Sequence, residues 1–483
     1  MENTTLYSRS RWTSEVNSRT ILLILVSLGG IAAVVGLLFL DNIRLSITIT
    51  VGFLLVAMSL VRIQFSIMAM FVFLTVLGDV RRMILPVAEW SGSDPLLLVG
   101  PIFAIILFGH GWATRRIKVN TPLAKWTLLL TAIMVLQVFN PRQGGLIVGV
   151  AGMIFLLIPL FWFWIGRTYF TKALMKTLLL KVVVPLSIVA LLLGLYQTFY
   201  GYLPYQMDWY KVAGYSALGT PETGLAPISL FASATEYGNY LIVAMIILWS
   251  YGVRRHRGLL LLLPVFFIAV FLTGSRGPVV KVLLVMAGLW GVLGPKKTWV
   301  LRGLVALAIG SIGFVWSISN LTPSHEPGTA PSDIQRKMMR QEQVLDGPGQ
   351  KGSTWRIHGY MMMQGYIDGF REPLGLGLGS VTKAATKFGG YGATTEVDAS
   401  NVFRATGLFG GVVYHIMIFL IILSAFRYWD RTRTPLALAL LGILGVTFLM
   451  WLGGGQYAVC PLVWLCVGAL DRFENMENPE QES

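Results

Sequence analysis

Three short polar segments, set in an otherwise apolar chain, hold the side chains that could do chemistry. The first is Leu272-Thr273-Gly274-Ser275-Arg276-Gly277-Pro278, a turn between two apolar runs. An arginine at such a boundary is costly to desolvate unless it snorkels or meets an anion, and its planar fork matches phosphate oxygens. Taken alone, a snorkelling Arg276 is the simpler explanation. The second segment begins with Ser353-Thr354-Trp355-Arg356, with His358 close behind, and continues to Pro373-Leu374-Gly375-Leu376-Gly377-Leu378-Gly379-Ser380. Alternating glycines permit close approach of the backbone to a ligand or to other backbone. No βαβ unit surrounds them, so they are not a dinucleotide fingerprint, and a structural turn is the simpler explanation. The third runs from Glu396 through Asp398, Asn401 and Arg404 to the glycines Gly407, Gly410 and Gly411. A carboxylate there could take a proton from a sugar hydroxyl. A solvated acidic pair before a helix explains it equally well.

Other chemistries find no support. Zinc-ligand spacing, a phosphate-binding loop, a serine-hydrolase elbow and a paired-cysteine motif are all missing from the sequence, so neither a metal nor an organic cofactor is expected. The two cysteines, Cys460 and Cys466, lie inside the last apolar run and carry no redox information. A net charge of +15 could suggest nucleic acid, but the basic residues are spread over short loops between alternate apolar runs. That is the positive-inside pattern of a membrane protein, and nucleic acid is not expected as a partner.

The elements that must position these residues are long apolar runs. The chain has 483 residues, 55% hydrophobic and only 13% charged, against about 25% charged in soluble domains. Many runs reach the roughly 20 residues needed to cross a bilayer. The fold class expected is an all-α integral membrane protein of about fourteen transmembrane helices, with a large extracytoplasmic loop before the last three. The spans fall near 21–40, 45–61, 65–77, 95–109, 123–139, 145–165, 177–200, 228–249, 258–273, 277–293, 299–318, 405–426, 435–452 and 455–470. The first run follows a basic tail with Arg9, Arg11 and Arg19 and is too long for a cleaved signal peptide, so it reads as a retained span.

The resulting organisation is a tail at 1–20, a transmembrane region at 21–318 with an outer loop at 201–227, a large loop at 319–404, three last spans at 405–470 and a tail at 471–483. Loops with Arg62, with Arg115, Arg116 and Lys118, with Arg167, Lys172 and Lys176, with Arg254, Arg255 and Arg257, with Lys296 and Lys297, and with Arg427, Arg431 and Arg433 alternate with loops poorer in cations. The latter hold chiefly Arg44, Arg81, Arg82, Arg142, Lys211 and Arg276. Both termini are therefore expected in the cytoplasm and the large loop outside. Within that loop, Asp333 caps a helix to Gln343, and Ser353 caps a second to about Ile367 that suits the membrane interface.

Taken in this order and topology, the three segments resemble the O-antigen ligase and polymerase superfamily of polytopic membrane glycosyltransferases. The resemblance covers about residues 225–455 and includes the polar stretch Phe231–Leu241 with Glu236 and Asn239. It implies an architecture of the GT-C kind in a bacterial inner membrane and transfer on the outer face. It also implies a polyprenyl-diphosphate-linked glycan donor, a glycan acceptor, surrounding lipids, and a chain-length regulator and flippase as partner proteins. Arg276 and Arg356 would hold the diphosphate leaving group, with Ser275, Glu236, Asn239, His358, Gly377, Gly379, Asn401 and Arg404 lining the substrates. Ligases of this family carry a histidine just before the asparagine. Here Asp398, Ala399 and Ser400 precede Asn401, which favours a polysaccharide polymerase with Asp398 as base and Glu396 second. A ligase acting on a lipid or protein acceptor is the nearest alternative, and a lipid-linked oligosaccharide flippase is the alternative from another class. A flippase should carry charged residues along a central cavity, whereas Lys181, Glu236, Lys281 and His415 are the few internal ionisable groups.

Overall fold

The computed structural model of the protein describes residues 29–31, 42–214, 225–321, 335–337, 354–392, 394, 397–452 and 456–475. Its regular structure, among the described residues, is helical. The elements used below are α1 (Ile43–Met83), α2 (Val99–Ala113), α3 (Pro122–Val138), α4 (Leu146–Leu156), α5 (Ile158–Tyr169), α6 (Lys172–Tyr200), α7 (Pro204–Ala213) and α8 (Ala234–Arg254). There follow α9 (Leu263–Leu272), α10 (Arg276–Val292), α11 (Trp299–Leu321), α12 (Thr354–Arg371), α13 (Asp398–Thr432), α14 (Pro435–Val446) and α15 (Val459–Asn475). Among the described residues, six helical stretches are long and apolar enough to cross a bilayer, and three shorter helices are also apolar. The starts are written in the sequence. Thr121 accepts from the Ala124 amide at 3.2 Å and Thr434 from the Ala437 amide at 3.2 Å, each followed by a proline in the first turn, where the missing N–H costs nothing.

Helix α1 is a hairpin. It breaks at Arg62 (φ −148°, ψ 93°), where the Ser66 hydroxyl donates back to the Leu55 carbonyl at 2.5 Å. The arms then return to one end of the bundle, since Arg44 at the start and Arg81 near the finish both bond Asp94. The expected spans 45–61 and 65–77 are these two arms, but the second runs on to Met83. Arg44, Arg81 and Arg82, expected in cation-poor outer loops, are consequently helical and buried. Each arm is about 28–30 Å long at 1.5 Å per residue, close to a bilayer's hydrocarbon thickness.

The core is set by small residues. A Cβ at Gly166 of α5 would overlap the Leu465 carbonyl of α15, and one at Gly468 would overlap the Phe163 carbonyl. Such small-residue crossings give membrane helices their packing energy. At one end the same pair is pinned by Asp471, which is buried and accepts from Arg167 at 2.6 Å and from Thr121 at 2.8 Å.

Two breaks shape the opposite end. Helix α13 is interrupted at Gly407 (φ 68°), and its opened backbone pairs with the glycine run: the Leu376 and Gly377 amides donate to Arg404 and Ala405 carbonyls at 3.1 and 3.0 Å. The expected span 435–452 is cut short, because α14 stops at Val446 and Thr447–Leu452 folds back, with Leu449 at φ 64°. The helix expected over Ser353–Ile367 exists as α12. It packs on α13 through Tyr366 and Phe370 against Phe403, at 5.2 and 5.0 Å between ring centres, and turns Ile357, Tyr360 and Met363 outward. Of the helix expected at Asp333–Gln343, only residues 335–337 are described, and these are helical.

The glycine run is a packing device. Gly379 donates to Gln143 Oε1 at 3.0 Å, and Gly377 adopts φ +91° against that same side chain. A methyl group at Gly377 would meet both a left-handed backbone and Gln143. Gly377→Ala is therefore expected to lower stability by about 1–3 kcal/mol, read as a lower melting temperature in detergent. An unchanged melt would contradict the close packing of the run.

Candidate functional site

The end where both arms of α1 close holds a cavity of about 430 Å³. Its walls come from the last turn of α1 (Arg81, Arg82), Trp90 just beyond, Trp209 of α7, Ser233 before α8, Lys383 after the glycine run, and Asn401 in the first turn of α13. Leu452 and Tyr457 close the floor.

The arginines are fixed from behind. Arg82 is buried, donates to Asp79 Oδ1 at 3.2 and 3.1 Å, and donates to the Ser229 and Phe231 carbonyls at 2.7 Å each. Asp79 in turn accepts from the Tyr205 hydroxyl at 2.8 Å and Gln206 at 2.9 Å, fastening α7 over the site. Burial first, then the neighbouring Asp79 carboxylate, raises the Tyr205 phenol above its ordinary pKa, so it stays protonated and donates. Segment 228–231 approaches α1 at Gly78, where a Cβ would overlap the Phe231 and Ala232 backbone. Arg81 bonds Asp94 at 3.0 Å and lies 4.7 Å from the centre of the Trp90 ring; Arg44 bonds the same carboxylate at 2.5 Å. Two guanidinium groups thus share one carboxylate. Neither Asp79 nor Asp94 lines the cavity, and among the described residues none that lines it is acidic. The wall is cationic and held rigid by aromatic faces, since Arg82 lies 5.2 Å from the Trp209 ring.

Behind the floor, polar side chains secure residues 447–452 and 456–458. Asp398, the first residue of α13, accepts from the Leu452 amide at 2.6 Å, while its own amide donates to Leu449. Glu236 accepts from the Ala458 amide at 2.8 Å, and Asn239 donates to Gln456 at 3.1 Å. Lys281 of α10 reaches the Met450 sulfur and lies within electrostatic range of Asp398. Irregular backbone at membrane depth is tolerated only where it is buried in protein or lines a cavity, and this segment does both.

No family model matches the chain, and no curated protein matches it.

The structure places the residues expected from sequence differently. Asp398, Asn401, Glu236 and Asn239 come together at or behind the cavity, although Asn401 alone of these lines it. Gly377 and Gly379 are buried against Gln143 and Val148, so packing accounts for them. Arg276 and Ser275 stand at the start of α10, Arg356 is exposed on α12 with His358 half-buried beside it, and none of the four lines the cavity. Arg404 turns to Asp368 at 3.3 Å, tying α13 to α12. Glu396 lies outside the described residues. His415 is half-buried and satisfied, bonded to Tyr366 at 2.9 Å and to the Gly411 carbonyl at 2.7 Å. Arg81, Arg82 and Lys383 were not singled out from sequence. Their signal is Asp79, an acid three residues before Arg82 at the end of an apolar run, where an unpaired carboxylate would be expensive.

Proposed function

We propose that the chain is an extracytoplasmic membrane glycosyltransferase that extends a polyprenyl-diphosphate-linked glycan, as a polysaccharide polymerase. The observation that carries this is the cationic cavity, walled by Arg81, Arg82 and Lys383, without a carboxylate among its described lining residues, and closed at its floor by the segment Asp398 holds. In the proposed reaction the acceptor hydroxyl oxygen attacks the anomeric carbon from the face opposite the diphosphate. The bond to the diphosphate oxygen breaks, its electron pair leaves with the diphosphate, and the hydroxyl proton passes to Asp398, which lies behind Leu452 and is reached when that floor segment shifts. Fixed guanidinium groups would stabilise the charge that develops on the leaving group, at no cost in reorganisation. Arg81 and Lys383 then take the part that the family resemblance assigned to Arg276 and Arg356. Among the described residues neither a histidine nor a carboxylate lines the cavity, so the preference for a polymerase over a ligase rests on the sequence, where Asp398, Ala399 and Ser400 precede Asn401 in place of the ligases' histidine.

Arg81→Lys keeps the charge but loses the bidentate fork. Cells carrying it are expected to lack long chains and to accumulate single lipid-linked units on the outer leaflet. Near-normal chain length would sink the assignment, and accumulation on the inner leaflet would point to a flippase.

The proposal also needs the cavity outside and the termini inside, in a bacterial inner membrane. Tyr391, exposed near the glycine run, and Arg115, at the opposite end, offer the test. Tyr391→Cys should react with an impermeant thiol reagent in intact spheroplasts, and Arg115→Cys only after permeabilisation. The native Cys460 and Cys466 are buried and leave a low background. The reverse pattern would overturn the orientation.

A further inference from the structure

The far end of the α1 hairpin holds a second and larger cavity, of about 820 Å³. Arg62, where the hairpin turns, lines it together with Arg116, His110 and Tyr169. From Arg62 to Arg82 the second arm climbs about 30 Å, so this cavity sits at the other boundary of the bilayer from the one described above.

Its chemistry is two-sided. The cations Arg62 and Arg116 are exposed on its wall, and among the described residues none that lines the cavity is acidic. His110 Nδ1 and the Tyr169 hydroxyl are 3.0 Å apart, and that hydroxyl also reaches the Leu107 carbonyl at 3.4 Å, so the polar wall is held in place. The remaining lining is largely apolar, with Leu107 and Met68 inside. Leu60 and Phe65 flank the break at Arg62 and are 73% and 61% exposed, which places large apolar side chains where hydrocarbon would run. A free phosphate would use the cations and leave the apolar wall unused. The chain's own N-terminal tail carries Arg9, Arg11 and Arg19 and would be repelled. Both halves are used by an anionic amphiphile, and basic pockets between helices at the inner boundary suit acidic headgroups.

We propose that this cavity binds one anionic membrane phospholipid, its phosphate between Arg62 and Arg116 and an acyl chain along the apolar wall beside Leu60 and Phe65. The site stands apart from the proposed transfer reaction and does not depend on it.

The test uses the full chain in nanodiscs containing phosphatidylglycerol with a photoactivatable acyl chain. Crosslinks are expected on peptides covering 59–68 and 106–117, and they should survive an excess of phosphatidylcholine and of inorganic phosphate. Arg62→Gln with Arg116→Gln should weaken retention of phosphatidylglycerol in native mass spectrometry by roughly 30-fold, two basic contacts being lost. The corresponding double Lys variant should retain it. Displacement by inorganic phosphate would make this a free-phosphate site, and equal labelling from phosphatidylcholine would make it ordinary lipid contact. Either result overturns the proposal, as does crosslinking in wild-type protein confined to other helices. That wild-type map decides the question even if the Gln variants fail to fold.

Discussion

Asp398→Asn is expected to lower glycan transfer by about 10²–10⁴-fold, the contribution general-base assistance typically makes. The residue heads α13 and is buried, and its Oδ2 accepts from the Leu452 amide at 2.6 Å. An asparagine oxygen can keep that bond, so segment 447–452 should stay folded back. What is lost is the negative charge beside Lys281 and the ability to take a proton. Turnover and stability, read together, separate a lost base from a disturbed floor. A loss in kcat with little change in KM and a melting temperature within a few degrees of wild type is the signature of a lost base. A fall in melting temperature large enough to account for the inactivity would instead make Asp398 a support for the segment. Glu396→Gln should have a smaller effect and His358→Ala a smaller one still. Retained activity in Asp398→Asn with loss in His358→Ala would move the base to α12.

The largest stability effect is expected at Arg82. It is among the largest fully buried side chains and joins three partners: the Asp79 carboxylate, which also accepts from Tyr205 and Gln206, and the Ser229 and Phe231 carbonyls. Removing one member of a buried ion pair leaves the other uncompensated and typically costs about 3–5 kcal/mol. Arg82→Met should therefore melt far below wild type in detergent. Arg356→Ala, on an exposed helix face, should stay within about 0.5 kcal/mol. The double variant Arg82→Met with Asp79→Leu should recover part of the loss, because it removes the stranded charge. A single variant as stable as wild type would show that the wall does not depend on this pair.

The helices were legible in the sequence because apolar runs and their caps are local signals. Thr121-Pro122 and Thr434-Pro435 mark starts that the structure keeps. The breaks were legible only in part. Gly407 advertises an irregular backbone, but Val61-Arg62-Ile63 holds neither glycine nor proline, and the hairpin there is fixed by Ser66 and by Arg44 reaching Asp94. The early end of α14 is likewise tertiary: Asp398 and Leu449, 51 positions apart in sequence, exchange a backbone bond that no local pattern encodes. The same holds for the site. The glycine run reads correctly as close approach, yet what approaches is the backbone of α4 and α13. Arg81 and Arg82 look like loop cations until the partners that bury them are known.

The central claim is that the cationic cavity carries out glycosyl transfer, and it is tested most directly with purified protein in liposomes supplied with lipid-linked repeat units alone. A ladder of longer lipid-linked glycans should form without nucleotide sugar, and Arg81→Lys and Asp398→Asn should each abolish it while still inserting and melting as folded protein. Lipid-linked units that cross the liposome bilayer while staying a single repeat long would contradict the claim and make the protein a transporter.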